Sequence, residues 1–217
     1  MMAKIKTCIF DLDGVICDTA KFHYLAWKRL AESIGFDLTS EHDEHMKGIG
    51  RMQSLELILG WAKVQLSQTE KELLCDKKNT WFVEYIQTIT PSDILPGVED
   101  FLKELKAKEY KIALGSASRN APVILEKLGV AHYFDAIVDG NSVSLPKPNP
   151  EVFLKGAEAT ETKPENCVVF EDALSGVEAG LNAGMFVVGV GNASILKNAH
   201  KCISTFEQFS AKDLESL

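Results

Sequence analysis

Apolar positions along the chain fall into two regimes. In the first, short runs rich in Val, Ile, Leu and Phe recur at 5–10, 111–114, 136–138, 167–170 and 186–190, with a shorter sixth at 201–204. Runs of this length, bounded by turn residues, read as strands. Between them lie stretches with apolar residues three and four apart and marked ends. Pro96-Gly97 leads into a periodic stretch over 98–107. Asn120 followed by Ala121-Pro122 opens another, which Gly129 closes. Asn149-Pro150-Glu151 opens a third, and 175–183 forms a fourth. Proline just inside a start and glycine just past an end are the expected helix punctuation. Strand–helix alternation of this kind predicts an α/β fold, a parallel sheet with helices on both faces.

The second regime runs from about residue 19 to residue 90 and contains no strand pattern. Trp27, Leu30, Ala31 and Ile34 recur at helical spacing up to Gly35. Leu55, Ile58 and Leu59 make a second stripe, and Leu73, Leu74, Phe82, Val83 and Ile86 a third. Roughly seventy helical residues inserted after the first strand predict a separate helical unit. Pro91 and Pro96 mark the return to the sheet. The expected division is 1–17 with 92–217 for the sheet domain and 18–91 for the insertion.

Composition narrows the classes of function. The chain has 217 residues, 46% of them hydrophobic and 25% charged, an ordinary globular balance. Its 23 Lys+Arg against 31 Asp+Glu leave a net charge of −8. An acidic surface disfavours a nucleic-acid partner, while a local donor cluster can still bind a small phosphorylated ligand. No stretch approaches the ~20 apolar residues of a membrane span. The start has no apolar signal region, so a cytoplasmic protein without a membrane partner is expected. The five cysteines, an odd number without C-x-x-C spacing, read as reduced thiols. His42-Asp43-Glu44-His45 reads as a solvated polar face, and Gly189-Val190-Gly191 lacks the third glycine of a dinucleotide fingerprint.

Four polar features stand at or beyond the carboxyl ends of four predicted strands, the edge where open α/β sheets bind ligands. Asp11-Leu12-Asp13-Gly14 follows the first strand. Paired carboxylates suit a hard cation such as Mg²⁺, and an aspartate can also act as a nucleophile. Ser116 follows the second, and with Ser118, Arg119 and Asn120 it offers donors at a helix start, where phosphate is attracted. Lys147 stands between Pro146 and Pro148, with Pro150 beyond. That rigid frame can aim one compact cation, and a cis peptide is possible after it. Glu171-Asp172 follows the strand over 167–170 and completes an oxygen-only donor set, which argues for Mg²⁺ over zinc. Each feature alone also fits a solvated loop or a simple helix cap. Their order and their common place in the fold carry the inference.

Those four motifs, Asp-x-Asp, Ser, Lys and an acidic pair, resemble the haloacid dehalogenase superfamily of phosphotransferases over essentially the whole chain. The insertion resembles that family's helical cap, and the core its Rossmannoid sheet. Thr19, His23, Trp27, Lys47-Gly48-Ile49-Gly50-Arg51 and Ser116-Ala117-Ser118-Arg119-Asn120 are similar to the family's β-phosphoglucomutase branch. Gly50 stands where that branch often has serine, and Arg119 where lysine is familiar. Arginine keeps the charge but presents a planar fork in place of a point charge.

The resemblance implies interconversion of β-glucose 1-phosphate and glucose 6-phosphate through phosphorylated Asp11 and a glucose 1,6-bisphosphate intermediate. Asp13 would be the general acid–base. Mg²⁺ would be held by the Asp11 carboxylate, the Asp13 carbonyl, Asp172 and, directly or through water, Glu171. Lys147 and Ser116 would neutralise the transferring phosphoryl group. A second phosphate would be held by Arg51 and the Ser118-Arg119-Asn120 cluster beside Ala117. Lys47 and Lys78 would assist or simply be solvated. His23 would position Asp13 or a hinge, and closure of the cap would exclude water. A single chain is the expected working unit. Two alternatives stay open: a sugar-phosphate phosphatase of the same fold, marked by dominant phosphate release, and a catalytically idle binding protein, marked by failure to bind fluoride analogues of phosphate with Mg²⁺.

Overall fold

The computed structural model describes residues 4–46 and 49–217; the expectations for Lys47 and Gly48 lie outside these residues. The chain divides into two compact units, Met1–Asp18 with Thr90–Leu217, and Thr19–Ile89.

Among the described residues, the first unit is built on six parallel strands: β1 (Thr7–Phe10), β2 (Lys111–Gly115), β3 (Ala136–Val138), β4 (Cys167–Glu171), β5 (Phe186–Val190) and β6 (Lys201–Ile203). Their order across the sheet is β3-β2-β1-β4-β5-β6, all pairs parallel. Helices α5 (Val98–Ala107), α6 (Ala121–Leu128), α7 (Glu151–Ala159) and α8 (Leu174–Asn182) provide the cover. Every residue of β1 and β4 is buried. That explains why these strands read as continuous apolar runs with no alternation.

Buried side chains of the described residues pack against the sheet in an aliphatic and an aromatic group. Ile9, Ala113 and Val169 pack with Val152, Phe153 and Ala157 of α7 and Val177 of α8. Phe10 and Phe170 stack at 4.8 Å, and Phe101 of α5 and Phe206 join them at 5.3 to 6.1 Å. From β1 the chain builds outward to β2 and β3, then crosses back to β4 on the other side. The carboxyl ends of β1 and β4 thus flank the point where strand order reverses, and a crevice forms at such a point.

The second unit contains α1 (Ala20–Ser33), α2 (Ser40–Glu44), α3 (Arg51–Ala62) and α4 (Gln68–Ile86). Trp27, Leu30, Ala31, Leu55, Ile58, Leu59 and Cys75 form its core. Gly35 takes a positive φ of 80° just after α1, where an L side chain would be strained. Two expectations need correction. Leu73 is 64% exposed, while Cys75, Lys78, Phe82 and Ile86 are the buried residues of α4. These four step three or four residues at a time, and Leu73 falls off their face. His42 also stands on no purely solvated face. Its Nδ1 lies 3.2 Å from the Thr39 N–H that it caps, and its ring is 4.6 Å from that of Trp61. Among the described residues no helix is long and apolar enough to cross a membrane.

Candidate active site

Asp11 directly follows β1 and is buried at the sheet edge. One oxygen, Oδ2, accepts from the Asp13 N–H at 3.0 Å. The other, Oδ1, accepts from the Lys147 ammonium at 2.6 Å, and Lys147 donates again to Glu171 Oε1 at 2.7 Å. The same ammonium lies 4.7 Å from the centre of the Phe153 ring. Gly115, at the end of β2, makes room for that ring, since a Cβ there would stand 2.8 Å from Phe153 Cδ1. Lys147 is 2% exposed. Burial alone would strip its proton, but Asp11 and Glu171 more than offset this and hold its pKa above the usual lysine value. The Lys147–Pro148 peptide is cis.

Glu171, the last residue of β4, is turned inward. Its second oxygen accepts from the Ala173 N–H at 2.8 Å. Its carboxyl occupies the space that a side chain at Gly176 would fill. Asp172 instead lies against the loop after β1. Gly14 has a φ of 76°, and a Cβ there would collide with the Asp172 carboxyl. Asp172 is therefore brought beside Asp11 and Asp13, and only glycine at position 14 permits it. Burial, with Glu171, Asp11 and Asp13 close by, pushes its pKa up to about 9.

Ser116 is fully buried just beyond β2. Its N–H donates to Val138 O at 3.0 Å, and its Oγ accepts from the Ser118 N–H at 3.1 Å. An oxygen that accepts in this way keeps its own proton to donate. Ser118 Oγ accepts in turn from the Asn120 N–H at 3.3 Å. Arg119 is exposed, and α6 begins at Ala121.

In the helical unit, Arg51 opens α3, and its Nη2 donates to Asn79 Oδ1 at 2.8 Å. Lys78 is 2% exposed, so the reading of a solvated lysine does not hold. Its ammonium lies 4.7 Å from the ring centres of both Trp27 and Phe82, and 2.9 Å from His23 Nδ1. Burial, with Lys78 and Arg51 nearby, holds the His23 imidazole well below the usual histidine value. A neutral Nδ1 can then accept from the lysine. Thr19 Oγ1 is buried and meets no hydrogen-bond partner among the described residues. Sequence reasoning missed Asn79, Phe153, Gly14 and the turn after β3. Of these, Gly14 carried a signal, a glycine directly after the acidic motif.

Residues 5–184 match the family model described as haloacid dehalogenase-like hydrolase. The chain is 44% identical over 197 residues to a β-phosphoglucomutase of Bacillus subtilis, covering 90% of this chain and 87% of that protein. It is 33% identical over 184 residues to a phosphorylated carbohydrates phosphatase of Thermotoga maritima, covering 83% and 82%. A crystal structure of β-phosphoglucomutase from Clostridium difficile superposes with a TM-score of 0.95 at 42% identity, covering 98% of this chain and 96% of that one.

Proposed function

Because the chain belongs to the haloacid dehalogenase-like hydrolase family, we propose that it is a phosphomutase that exchanges phosphate between C1 and C6 of β-glucose. The observation that carries this reading is the buried clamp of Lys147 on Asp11 and Glu171, with the Asp13 N–H donating to Asp11 and Asp172 next to these carboxylates. The 44% identity to a β-phosphoglucomutase supports the choice of sugar.

The donor set suits a hard divalent cation. Its ligands are all oxygen, and burial first, then the neighbouring Glu171, Asp11 and Asp13 carboxylates, push the Asp172 pKa up to about 9, a setting in which a divalent cation would relieve the crowding of negative charge. Among the described residues no three His, Cys, Asp or Glu side chains converge on one point. Both Glu171 oxygens are also engaged, by Lys147 and Ala173. The direct ligands would then be the carboxylates of Asp11 and Asp172 and the main-chain carbonyl of Asp13, with Glu171 reaching through water. When bound there, Mg²⁺ would supply charge neutralisation to the phosphoryl oxygens.

Asp11 is the nucleophile. A carboxylate oxygen bonds to phosphorus as the bond from phosphorus to the donor oxygen breaks. Asp13 gives its proton to the departing sugar oxygen. In the return step it removes a proton from the accepting hydroxyl, a contribution of roughly 10²–10⁴-fold. Lys147 and the Ser116 hydroxyl compensate charge on the transferring group. Ser118, Arg119 and Asn120 hold the phosphate that is not being transferred, through charge-assisted hydrogen bonds. Arg51, steadied by Asn79, is a second cation for the sugar bisphosphate, with Thr19, His23, Trp27 and Lys78 as further contacts.

The test is to supply Mg²⁺, a trace of glucose 1,6-bisphosphate, and α- or β-glucose 1-phosphate in turn. Glucose 6-phosphate and free phosphate are followed together. Glucose 6-phosphate from the β anomer with little free phosphate is the expected result. Free phosphate without glucose 6-phosphate would replace the mutase with a phosphatase, the reading favoured by the Thermotoga maritima relative.

A further inference from the structure

The loop that carries Ser118, Arg119 and Asn120 is held from the end of β3. Ser116 N–H donates to Val138 O at 3.0 Å, and Gly140 N–H donates to Ser118 O at 3.3 Å. Asn141 Nδ2 donates to Arg119 O at 3.1 Å. The Asn141 amide is itself fixed by Asp139. Its Nδ2 also donates to Asp139 Oδ2 at 3.0 Å, and its main-chain N–H to Asp139 Oδ1 at 2.9 Å. Asp139 is 8% exposed and is further tied by the Ser142 N–H at 3.1 Å and the Ser142 hydroxyl at 2.9 Å.

Gly140 completes the support. A Cβ there would strike the Ala117 carbonyl and come within 3.1 Å of Arg119 Cγ. The stem of Arg119 therefore runs over the glycine while Asn141 holds its carbonyl. Both the backbone and the first carbons of this exposed arginine are set by one turn. A long side chain whose base is already ordered loses less freedom when it meets an anion.

We propose that Asn141 is a positioning residue for the phosphate subsite of Ser118, Arg119 and Asn120, acting through the Arg119 backbone. This rests on the reading of that cluster as the seat of the phosphate not being transferred.

The test compares Asn141→Ala and Asn141→Asp with Arg119→Ala in the intact enzyme. Asn141→Asp keeps the shape but turns a carboxylate toward the Arg119 carbonyl and Asp139. Two reactions are measured with Mg²⁺: turnover of β-glucose 1-phosphate at saturating bisphosphate, and phosphorylation of Asp11 by acetyl phosphate. Acetyl phosphate carries one phosphate and has no second to place in the subsite. Loss of one positioning hydrogen bond should raise KM for the sugar phosphate by about 3–10-fold in both Asn141 variants. Their kcat should stay within about threefold, with the acetyl phosphate reaction affected much less than the KM. An unchanged KM in the Asn141 variants, with a raised KM in Arg119→Ala, would overturn the positioning role and leave the subsite standing. Equal losses in both reactions would mark a general structural role and also overturn it. An unchanged KM in Arg119→Ala would remove the subsite itself, and this inference with it.

Discussion

Lys147 places one ammonium 2.6 Å from Asp11 and 2.7 Å from Glu171, with no appreciable exposure to water. Removing one member of a buried ionic group leaves its partners charged and uncompensated, a cost of about 3–5 kcal/mol. Lys147→Met should therefore lower folding stability by about that much in Mg²⁺-free urea titrations and abolish phosphoryl transfer. Lys147→Met with Glu171→Gln removes one stranded charge, so it should recover part of the stability and none of the activity. No recovery would mean that the two side chains act independently. The prolines around Lys147 made it legible, because a framed cation has few uses other than aiming a charge. The role of Glu171 as its anchor was not legible: a carboxylate after a strand looks the same whether it faces a metal or a lysine. Lys78 misleads for a related reason. Lysine ordinarily belongs to the surface, and only the arrangement of Trp27, Phe82 and His23 in space gives it an interior place.

The strands were readable because parallel strands covered on both faces need apolar residues at every position, and little else in the chain has that pattern. The helices that cover them carried their own punctuation, such as Gly129 after α6 at a φ of 74°. Helix α4 was harder. Its nineteen residues have apolar side chains on more than one side, so a stripe chosen by hydrophobicity alone takes in Leu73. The helical period selects Cys75, Lys78, Phe82 and Ile86 instead. These choices separate in an equilibrium unfolding experiment. Phe82, fully buried, should lose about 3–5 kcal/mol on substitution by Ala, through lost burial and the cavity left behind. Leu73→Gln should stay within about 0.5 kcal/mol of the parent, as exposed positions do. A large loss at Leu73 would place it on a packed face and restore the stripe expected from composition.

At the scale of the whole molecule, four of the chain's 31 acidic residues meet at one sheet edge. The −8 net charge says only that the surface repels anions. The sheet order shows where a local excess of acid arises, since the edge of β1 and β4 brings Asp11, Asp13, Glu171 and Asp172 close together with Lys147 paired to Asp11 and Glu171, so a phosphate would be met there only with a bound cation. No composition reveals that excess, because it depends on residues about 160 positions apart meeting at a single edge. It has a measurable consequence. The Asp172 carboxyl, pushed up to about 9 by burial and its acidic neighbours, holds its proton more tightly folded than unfolded. Its contribution favours the fold below the unfolded value of about 3.9, and is lost as pH rises through about 9. A divalent cation must displace that proton, so its affinity should climb over the same interval. The rise in Tm on adding about 10 mM Mg²⁺ should accordingly be larger at about pH 8.5 than at about pH 6. Asp172→Asn removes both the proton and the ligand. It should raise Mg²⁺-free stability at the higher pH and abolish most of the Mg²⁺ response at both. A Mg²⁺ response of equal size at the two pH values would mean that Asp172 is already ionised in the free protein, and that Lys147 alone balances the cluster.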